Sequence, residues 1–560
     1  MIALLSRFRR DNKANIAVIF AFAVLPIATA VGCATDYTNA TRIKAKMQAA
    51  ADAAAVASVS INSASYIQAT TMTSNGSVSA GMTELDSIFK GNVFNFSSLY
   101  QNLTMKTETV TKTGANLTSV ITFSAQVPVT FMKVLGWQNM TIGGTSTATS
   151  SLPLYLDFYL LLDVSGSMGL PSTAAEAVRM QNINPDNYVQ YPTGCTIACH
   201  FSQLPLTPLP NTSTNVLKNS ACIDPSPNTP YPYTTNGTPK TPSGKSPLTP
   251  TQKYPTGNYC LGYDISRISQ AAYAKVLSNN GGQLPPYKYT QTQSSTPVAQ
   301  PAAFYSVSAS YPNDPVFSAV SNCPTAGTDS CIQLRLDAVG YAVTQLLQTA
   351  NNVEKITNQF RIGLYPYIKS LYTTYAPLTS SISTSSSINT SAANLATLLD
   401  SNTNANLGSG GTDQDAALSG VNSLITSVGD GSASNKTLPY VFMVTDGAVT
   451  PQSKGVPYGS WSGSNHDTVI PNPDTNCTNL KNRGITVSIL YIPFQTISPV
   501  NTSFANDEDD AANNNIANIP GSLKACASPG FFYTANTPQD ITDALNQMFN
   551  HALVVAHMTN

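Results

Sequence analysis

The sequence contains little charge and very little histidine. Charged residues make up 10% of the 560 residues, the formal net charge is −1, and there are four histidines. Without a basic field the chain offers nothing that would attract nucleic acid, so we expect no nucleic-acid partner. A site built on histidine has few candidate residues. Polar uncharged residues take the place of charged ones, a composition that is common outside the cytoplasm.

The nine cysteines indicate an oxidising compartment. Cys33 lies in the N-terminal apolar segment, and the other eight lie downstream: Cys195, Cys199, Cys222, Cys260, Cys323, Cys331, Cys477 and Cys526. An even number of cysteines in an exported region indicates disulfides. Proximity in sequence suggests Cys195–Cys199 or Cys222–Cys260, together with Cys323–Cys331 and Cys477–Cys526. The sequence alone leaves the connectivity open.

The N-terminus predicts a membrane anchor. Four basic residues precede an uncharged run over residues 14–35: Arg7, Arg9, Arg10 and Lys13. As a helix this run is long enough to cross about 30 Å of hydrocarbon. The basic flank predicts that residues 1–13 stay in the cytoplasm and that the remainder is exported. A cleaved signal peptide is the alternative, but the run is long for one and the next segment predicts a helix that continues directly from it.

The region after the apolar run divides into two predicted segments. Residues 36–65 contain "TNATRIKAKMQAAADAAAVASVSI", which predicts a stem helix with Met47, Ala50, Ala54 and Ala57 on one face. Residues 66–150 contain alternating stretches such as "LTSVITFSAQVPVTFM", which indicate antiparallel strands. We therefore expect a small β-rich region there.

Strands and helices alternate over residues 151–560. The apolar runs "LYLDFYLLL", "RIGLYPYI", "LPYVFMVTDGA" and "ITVSILYI" predict buried parallel strands, and periodic segments such as "CIQLRLDAVGYAVTQLLQTANN" predict helices between them. This alternation predicts a doubly wound, mostly parallel α/β fold. A long insertion at about 170–330 is rich in Pro, Ser, Thr and Asn and holds five of the cysteines.

Oxygen-bearing side chains collect at the predicted carboxyl ends of these strands. "DVSGSM" supplies Asp163, Ser165 and Ser167, "GGTD" supplies Thr412, and "VTDG" supplies Asp446. Ligand sites of such sheets lie at this edge. One or two carboxylates with several hydroxyls and waters suit Mg²⁺, with Mn²⁺ or Ca²⁺ as alternatives. The five residues are therefore candidate metal ligands, and no catalytic residue is predicted.

Other chemistries fit the sequence less well. A nucleophile elbow needs G-x-S-x-G, and the first glycine is absent before Ser167. "CTIACH" has one residue too many for c-type haem attachment and lacks nearby zinc ligands, so a structural disulfide is the default. The acidic run at residues 507–510 is typical of a solvated loop, with calcium binding as the alternative.

Two resemblances give these patterns a function. "DVSGSM", "GGTD" and "VTDG" in this order resemble the metal-ion-dependent adhesion site of a von Willebrand factor A domain. "ANIAVIFAFAVLPIATAVGCATDYTNATRIKAKMQAAADAAAVA" resembles the TadG-like proteins of the tight-adherence (Flp) pilus system, apart from Ala14 where the family has glycine. The first resemblance implies a metal with one coordination position open for a partner's acidic group.

We therefore expect a non-enzymatic, single-pass protein of the inner (cytoplasmic) membrane whose bulk lies in the periplasm or at the cell surface. Residues 151–560 would form the A domain, and a pilus or envelope protein presenting an acidic residue would bind its metal. No small-molecule substrate is expected. The alternatives are a metal-dependent envelope hydrolase and a general cell-surface adhesin unrelated to pili.

Overall fold

The computed structural model describes residues 14–183, 266, 289–293, 296–300, 322–328, 331–400, 404–456, 461–464, 466–494, 496 and 510–559. The chain divides into two compact units between Leu154 and Tyr155, and residues 430–436 belong to the first unit. Most of the predicted insertion lies outside the described residues. So do the predicted cytoplasmic residues 1–13, the motif "CTIACH" and the cysteines Cys195, Cys199, Cys222 and Cys260.

The first unit combines helices with a four-stranded antiparallel sheet. Its elements are α1 (Ala14–Ser58), α2 (Ala64–Thr71), β1 (Gly76–Ser77), α3 (Ser79–Phe94), β2 (Gln101–Thr113), β3 (Asn116–Pro128) and β4 (Asn139–Ser151). The strands lie in the order β1-β2-β3-β4. The apolar run and the stem form one continuous helix, α1, which ends at Ser58. The three long strands follow from Gln101 onward, as the alternation indicates.

The core of the first unit lies between α1 and the sheet. Every second residue of β3 is buried, including Leu117, Ile121 and Phe123, as expected for a strand with one face on a core. Met47 and Ala54 of α1 are fully buried in the same cluster. Small side chains on this helix face permit close approach to the strands, and this burial of apolar surface stabilises the unit.

The second unit is built on a six-stranded sheet. Its strands are β5 (Leu156–Asp163), β8 (Phe360–Tyr367), β9 (Ala376–Thr379), β10 (Leu438–Thr445), β13 (Thr486–Tyr491) and β14 (Phe532–Thr534). Short hairpins are formed by β6 (Tyr289–Gln293) with β7 (Thr296–Gln300) and by β11 (Ser453–Lys454) with β12 (Trp461–Ser462). The helices are α4 (Ala174–Ile183), α5 (Arg335–Val353), α6 (Ser387–Ala393), α7 (Gln414–Leu424), α8 (Thr475–Asn482), α9 (Asp510–Asn515), α10 (Ile519–Cys526) and α11 (Pro538–Thr559).

The sheet confirms the predicted fold class. Its order is β14-β13-β10-β5-β8-β9. The pairs from β14 to β8 are parallel, and β9 pairs antiparallel with β8 at one edge. All eight residues of the central strand β5 are buried, which accounts for its nearly continuous apolar sequence. Helices alternate with the strands along the chain, as in a doubly wound fold.

Both faces of the sheet are covered. On one face Phe158 contacts Phe360, Tyr440, Phe442 and Phe549, with ring centroids 5.1–6.3 Å apart. Phe549 belongs to α11, which packs against α5. On the other face a second cluster joins the remaining strand side chains to the buried sides of α7, α8 and α10. The carboxyl edge of the strands is thus held between two packed layers.

The two ends of the insertion meet next to β5. Leu170 accepts a hydrogen bond from the amide of Arg335 at 2.8 Å, and the amide of Ser172 donates to Gln333 at 2.8 Å. The predicted disulfide Cys323–Cys331 lies close by, and Cys477–Cys526 joins α8 to α10. Both of these pairings are confirmed. The insertion therefore leaves the unit and returns to it at one place, without interrupting the sheet.

Candidate metal centre

Two neighbouring parallel strands place two aspartates together. β5 ends at Asp163 and β10 ends at Thr445. Leu162 is paired with Val444, so the next residues, Asp163 and Thr445, lie side by side and Asp446 follows at once. The Thr445 hydroxyl donates a hydrogen bond to Oδ2 of Asp163 at 2.7 Å. The register of the sheet alone therefore places Asp163 of "DVSGSM" beside the motif "VTDG".

The loop after β5 folds back onto its own aspartate. Oδ1 of Asp163 accepts hydrogen bonds from the Ser165 amide at 3.0 Å and from the Ser165 hydroxyl at 2.6 Å. The hydroxyl oxygens of Ser165 and Ser167 are 3.4 Å apart, and residues Gly166–Gly169 form a short 3-10 turn. One carboxylate and two hydroxyls thus converge within five residues, as the spacing predicts.

Asp446 is buried without a hydrogen-bond donor. The residue has no exposed surface, and neither of its carboxylate oxygens accepts a hydrogen bond from the described part of the chain. The Ser167 side chain and the backbone amides of Ala448 and Asp446 itself approach this carboxylate, but none of them reaches hydrogen-bond geometry. A buried charge normally acquires partners, because removing it from water is costly. Two oxygens in this state could accept a ligand that the described residues do not supply.

Burial raises the pKa of both carboxylates, and the nearby charge of Asp446 adds to the shift at Asp163. Burial, followed by the nearby charge of Asp446, raises the pKa of Asp163 to about 7. Burial also raises the pKa of Asp446, against the opposing effects of Ser167 and of the Arg335 guanidinium. Like charges this close favour a bound proton or a bound cation. A divalent cation would stabilise both ionised carboxylates at once.

Arg335, at the start of α5, is a charged neighbour of this centre. It is 5% exposed, its Nη2 donates to the carbonyl of Pro493 at 3.3 Å, and its Nη1 has no partner in the described residues. The guanidinium lines a recess of about 230 Å³ that also includes Phe494 and Ile541. This recess lies beyond the ends of β13 and β14, at the same edge of the sheet as Asp446.

Thr412 lies on the adjacent loop, without a hydrogen bond to the other four predicted ligands. It is 4% exposed, and its backbone exchanges hydrogen bonds with Thr450 at 3.2 and 3.0 Å. Its hydroxyl makes no hydrogen bond to Asp163, Ser165, Ser167 or Asp446. The loop is nevertheless tied to the centre, because Nε2 of Gln414 donates to the Thr445 hydroxyl at 3.0 Å. Ligation by Thr412 stays a prediction.

Asp400 shapes the Thr412 loop, and the sequence analysis did not identify it. Its carboxylate accepts hydrogen bonds from the Ser409 hydroxyl at 2.7 Å and from the Gly410 amide at 2.8 Å, while its amide donates to Val164 at 3.1 Å. It therefore connects the loop after β5 with the loop that carries Thr412. The one signal in the sequence is an isolated aspartate after "NLATLL", which by itself resembles an ordinary loop residue.

The donor set fits a hard divalent cation. No group of three or more His, Cys, Asp or Glu side chains suited to a metal occurs in the described ranges. Zinc or iron chemistry of that kind is therefore not indicated there. Two carboxylates with two or three hydroxyls are oxygen donors, which Mg²⁺, Mn²⁺ and Ca²⁺ prefer. Such an ion would bind the carboxylate oxygens of Asp446, which accept no hydrogen bond from the described residues.

Comparison with known proteins identifies the N-terminal part of the chain. Residues 14–60 match the family described as "Putative Flp pilus-assembly TadE/G-like". This segment is TadE/G-like. It comprises α1 and the two residues that follow, and the resemblance drawn from the sequence is confirmed there. The match supports a pilus-associated role. No curated protein matches the chain.

Several solved structures resemble the chain at low identity. The vWF domain of the type V pili tip protein Mfa5 from Porphyromonas gingivalis is 13% identical, has a TM-score of 0.24, and covers 39% of this chain and 89% of its own. The PilB minor pilin from Streptococcus sanguinis is 8% identical with a TM-score of 0.26, over 81% of this chain and 77% of its own. Proximal thread matrix protein 1 from the mussel byssus is 13% identical with a TM-score of 0.23. In that last case the match covers 39% of this chain and less than half, 43%, of the mussel protein.

Proposed function

We propose that this protein is a membrane-anchored, extracytoplasmic component of tight-adherence (Flp) pilus assembly, and that its second unit binds a protein partner through a divalent cation. Asp163, Ser165, Ser167, Thr412 and Asp446 would hold the ion. An acidic side chain of a pilus or envelope protein would complete its coordination. The TadE/G-like segment supports the pilus context. The two buried carboxylates of the second unit, Asp163 and Asp446, support the presence of a cation.

A comparison of two buried aspartates on β5 and β10 carries the metal proposal. Asp157, near the start of β5, accepts bonds from Arg361 at 2.7 and 2.5 Å and from the Thr437 hydroxyl at 2.5 Å. Asp446, at the opposite end of the sheet, has no such donors. The same sheet therefore pairs one buried carboxylate through an ion pair and short hydrogen bonds, and leaves the other with the Arg335 charge nearby but no hydrogen bond. An external cation removes this imbalance.

Metal binding is tested directly with the full-length protein in detergent. We expect Mn²⁺ and Mg²⁺ to bind with one equivalent per chain, measured by calorimetry and by the paramagnetic spectrum of Mn²⁺. Asp163→Ala should abolish binding. Asp543→Asn removes the same charge from an exposed position in the same unit and should bind as the parent does. Unchanged binding by Asp163→Ala would contradict the assignment.

The partner is tested by capture from envelope extracts with and without chelator. If a metal bridges the two proteins, EDTA should release the partner and Mg²⁺ should restore it. Asp163→Ala should fail to capture it, while Asp543→Asn should succeed. Capture that persists in EDTA would show that the metal is not the bridge. Identification of a non-pilus surface ligand by the same experiment would favour the general-adhesin alternative.

A metal-dependent hydrolase is the second class to consider, and the described histidines do not support it. Nδ1 of His551 lies 2.8 Å from the Tyr533 hydroxyl, and its ring stacks on Phe531 with centroids 4.2 Å apart. The described hydrogen bonds include none between the His466 ring and Ser165 or Ser167. A general base for these serines is therefore not found among the described histidines. We propose a binding function for the site.

A further inference from the structure

The loop between β3 and β4 exposes an unusual amount of apolar surface. We define this loop as the Trp137 loop, residues 130–138. Four of its large side chains are exposed: Phe131 (49%), Val134 (79%), Leu135 (55%) and Trp137 (57%). Lys133, which lies among them, is also exposed. Contiguous apolar side chains on a surface indicate an interaction site rather than random exposure.

The Trp137 loop has an ordered backbone. Residues Met132–Leu135 form a 3-10 turn, and Gly136 ends it with a left-handed φ of 89°. The Trp137 amide donates to the Met132 carbonyl at 3.2 Å, and the Val129 amide donates to Gln138 at 3.2 Å. The apolar side chains are therefore held outward by internal hydrogen bonds.

The loop is attached to α1 at one defined height. The carboxylate of Asp36 accepts hydrogen bonds from the amides of Thr130, Phe131 and Met132 at 3.0, 2.8 and 2.8 Å. One turn earlier, a Cβ on Gly32 would lie 2.5 Å from Cβ of Phe131, so only glycine permits this approach. Asp36 and Gly32 thus fix the loop beside residues 32–36 of the helix.

This height is where the continuous exposed apolar surface of α1 ends, although Val56 near the C-terminal end of the helix is also exposed, at 62%. Exposed large apolar side chains occupy the helix up to that point: Ile19, Phe20, Phe22, Leu25, Ile27 and Val31. Residues 19–58 form the helix that is long and apolar enough to cross a membrane by length and composition. Tyr37 follows at 64% exposure, and burial against the sheet begins at Ala40. A bilayer around the apolar part of α1 would therefore end beside the Trp137 loop.

We propose that the Trp137 loop inserts into the interface of the membrane that α1 spans, on the side where the folded unit lies. Tryptophan and tyrosine favour this zone, and lysine can extend its ammonium to the headgroups. Phe131, Val134 and Leu135 would enter the boundary between headgroups and acyl chains. The spanning helix α1 and the inserted Trp137 loop would together set how deeply the first unit sits in the bilayer. This proposal rests on α1 being membrane-spanning and is independent of the metal centre.

Tryptophan fluorescence tests the position of the loop. The chain has two tryptophans, so Trp461→Phe leaves Trp137 as the single reporter. The full-length protein is placed in bilayers containing lipids brominated either near the headgroup or near the bilayer centre. We expect blue-shifted emission from Trp137 that is quenched more strongly by the lipid brominated near the headgroup.

Two relocated reporters serve as controls in a chain lacking both native tryptophans. Phe22→Trp reports the middle of the span and should be quenched most by the deep lipid. Ile61→Trp reports an exposed position just after α1, whose last residue, Ser58, lies about 33 Å along the helix from Asp36 at 1.5 Å per residue, and it should not be quenched. Trp137 quenched no more than Ile61→Trp overturns the proposal, and so does blue-shifted emission without quenching, which means burial against protein. An unquenched Phe22→Trp overturns the span itself and the loop proposal with it.

A variant of Asp36, where the loop is attached to α1, tests the membrane contact of the loop independently of that of the helix. Asp36→Ala removes the acceptor of three amides, so Trp137 quenching should fall several-fold while the Phe22→Trp reporter stays quenched. Asp52→Ala removes the same charge from an exposed site on the same helix and should change neither signal. Equal effects of both variants would contradict the role assigned to Asp36.

Discussion

At the scale of single residues, the candidate metal centre is defined by what its side chains lack. Asp163 has three hydrogen-bond donors around it, whereas Asp446 has none in the described chain. Thr412 contributes no hydrogen bond to either. Asp446 is therefore the residue whose state should change most on metal binding, and it is the best position for a stability experiment.

The first prediction concerns Asp446→Asn. In the presence of EDTA this variant should unfold at a higher temperature than the parent, because it removes an unmatched buried charge. At Mg²⁺ concentrations about 100-fold above its dissociation constant, the parent should gain roughly 2.7 kcal/mol while the variant gains nothing. Thermal unfolding with and without Mg²⁺ measures both effects, and Asp543→Asn is the matched control. A variant that still responds to Mg²⁺ would exclude Asp446 as a ligand.

The second prediction is the pH dependence of the metal-free protein. The folded state raises the pKa of Asp163 from its ordinary value of 3.8 to about 7, so between these values the folded state binds a proton that the unfolded state has lost. The stability contribution is therefore present in full below the ordinary value and is lost as pH rises through 7. Denaturant unfolding in EDTA should show this decline, and Asp163→Asn should reduce it. A parent that becomes more stable across this window would contradict the shift.

At the scale of helices and strands, the local pattern of the sequence predicts most of the second unit. The uninterrupted apolar run of β5 and the stripe of α5, including Leu336, Val339 and Val343, are buried as expected. Thr537 caps the N-terminus of α11, because its hydroxyl accepts a hydrogen bond from the Asp540 amide at 3.1 Å. These features arise from neighbours in sequence, so a single sequence shows them.

Local sequence patterns do not predict features that depend on contacts between residues far apart in the chain. Asp400 acts through Ser409 and Val164, and Asp36 acts through a loop almost a hundred residues away. The helix Ser79–Phe94 was not predicted, although its buried residues Leu85, Phe89 and Val93 follow helical spacing. The many Ser and Thr residues around it favour other structures locally, and packing in the first unit decides in favour of the helix.

The third prediction concerns the place where the insertion joins the second unit. The buried carboxylate of Glu176 in α4 accepts hydrogen bonds from the Gln333 amide at 2.6 Å, the Gly327 amide at 2.9 Å and Arg179 at 2.7 Å. Glu176→Ala leaves these donors unmatched and should destabilise the unit by roughly 2–3 kcal/mol. Chemical denaturation measures this loss.

The control for that variant is Glu354→Ala, which removes a carboxylate outside the junction. Its carboxylate accepts one hydrogen bond, from the Gln359 amide at 2.9 Å, so a smaller loss is expected. Limited proteolysis should also cut Glu176→Ala faster near residue 327 than the parent, because the junction opens more often. Equal stability of the two variants would show that Glu176 does not hold the junction.

At the scale of the whole molecule, the two compact units carry different surface and core features, which suit the proposed anchoring and binding roles. The first unit carries exposed apolar surface on α1 and on the Trp137 loop. The second unit carries a buried, polar centre whose donors all come from within that unit. No residue of the first unit contributes to the five predicted ligands, so the two properties should be separable by mutation.

The fourth prediction is this separation. Phe22→Arg combined with Leu25→Arg places two charges in the apolar part of α1, each costing about 2.5–3.5 kcal/mol at the centre of a membrane helix. The variant should leave the membrane fraction yet bind Mn²⁺ with parental affinity. Asp163→Ala should remain in the membrane fraction and bind none. If pilus assembly requires a metal-bridged partner held at the membrane, both variants should fail in that assay, and co-expressing them should not restore it. Restored assembly would mean that anchoring and metal binding need not reside in one molecule, and the protein would then act as an oligomer whose members share these tasks.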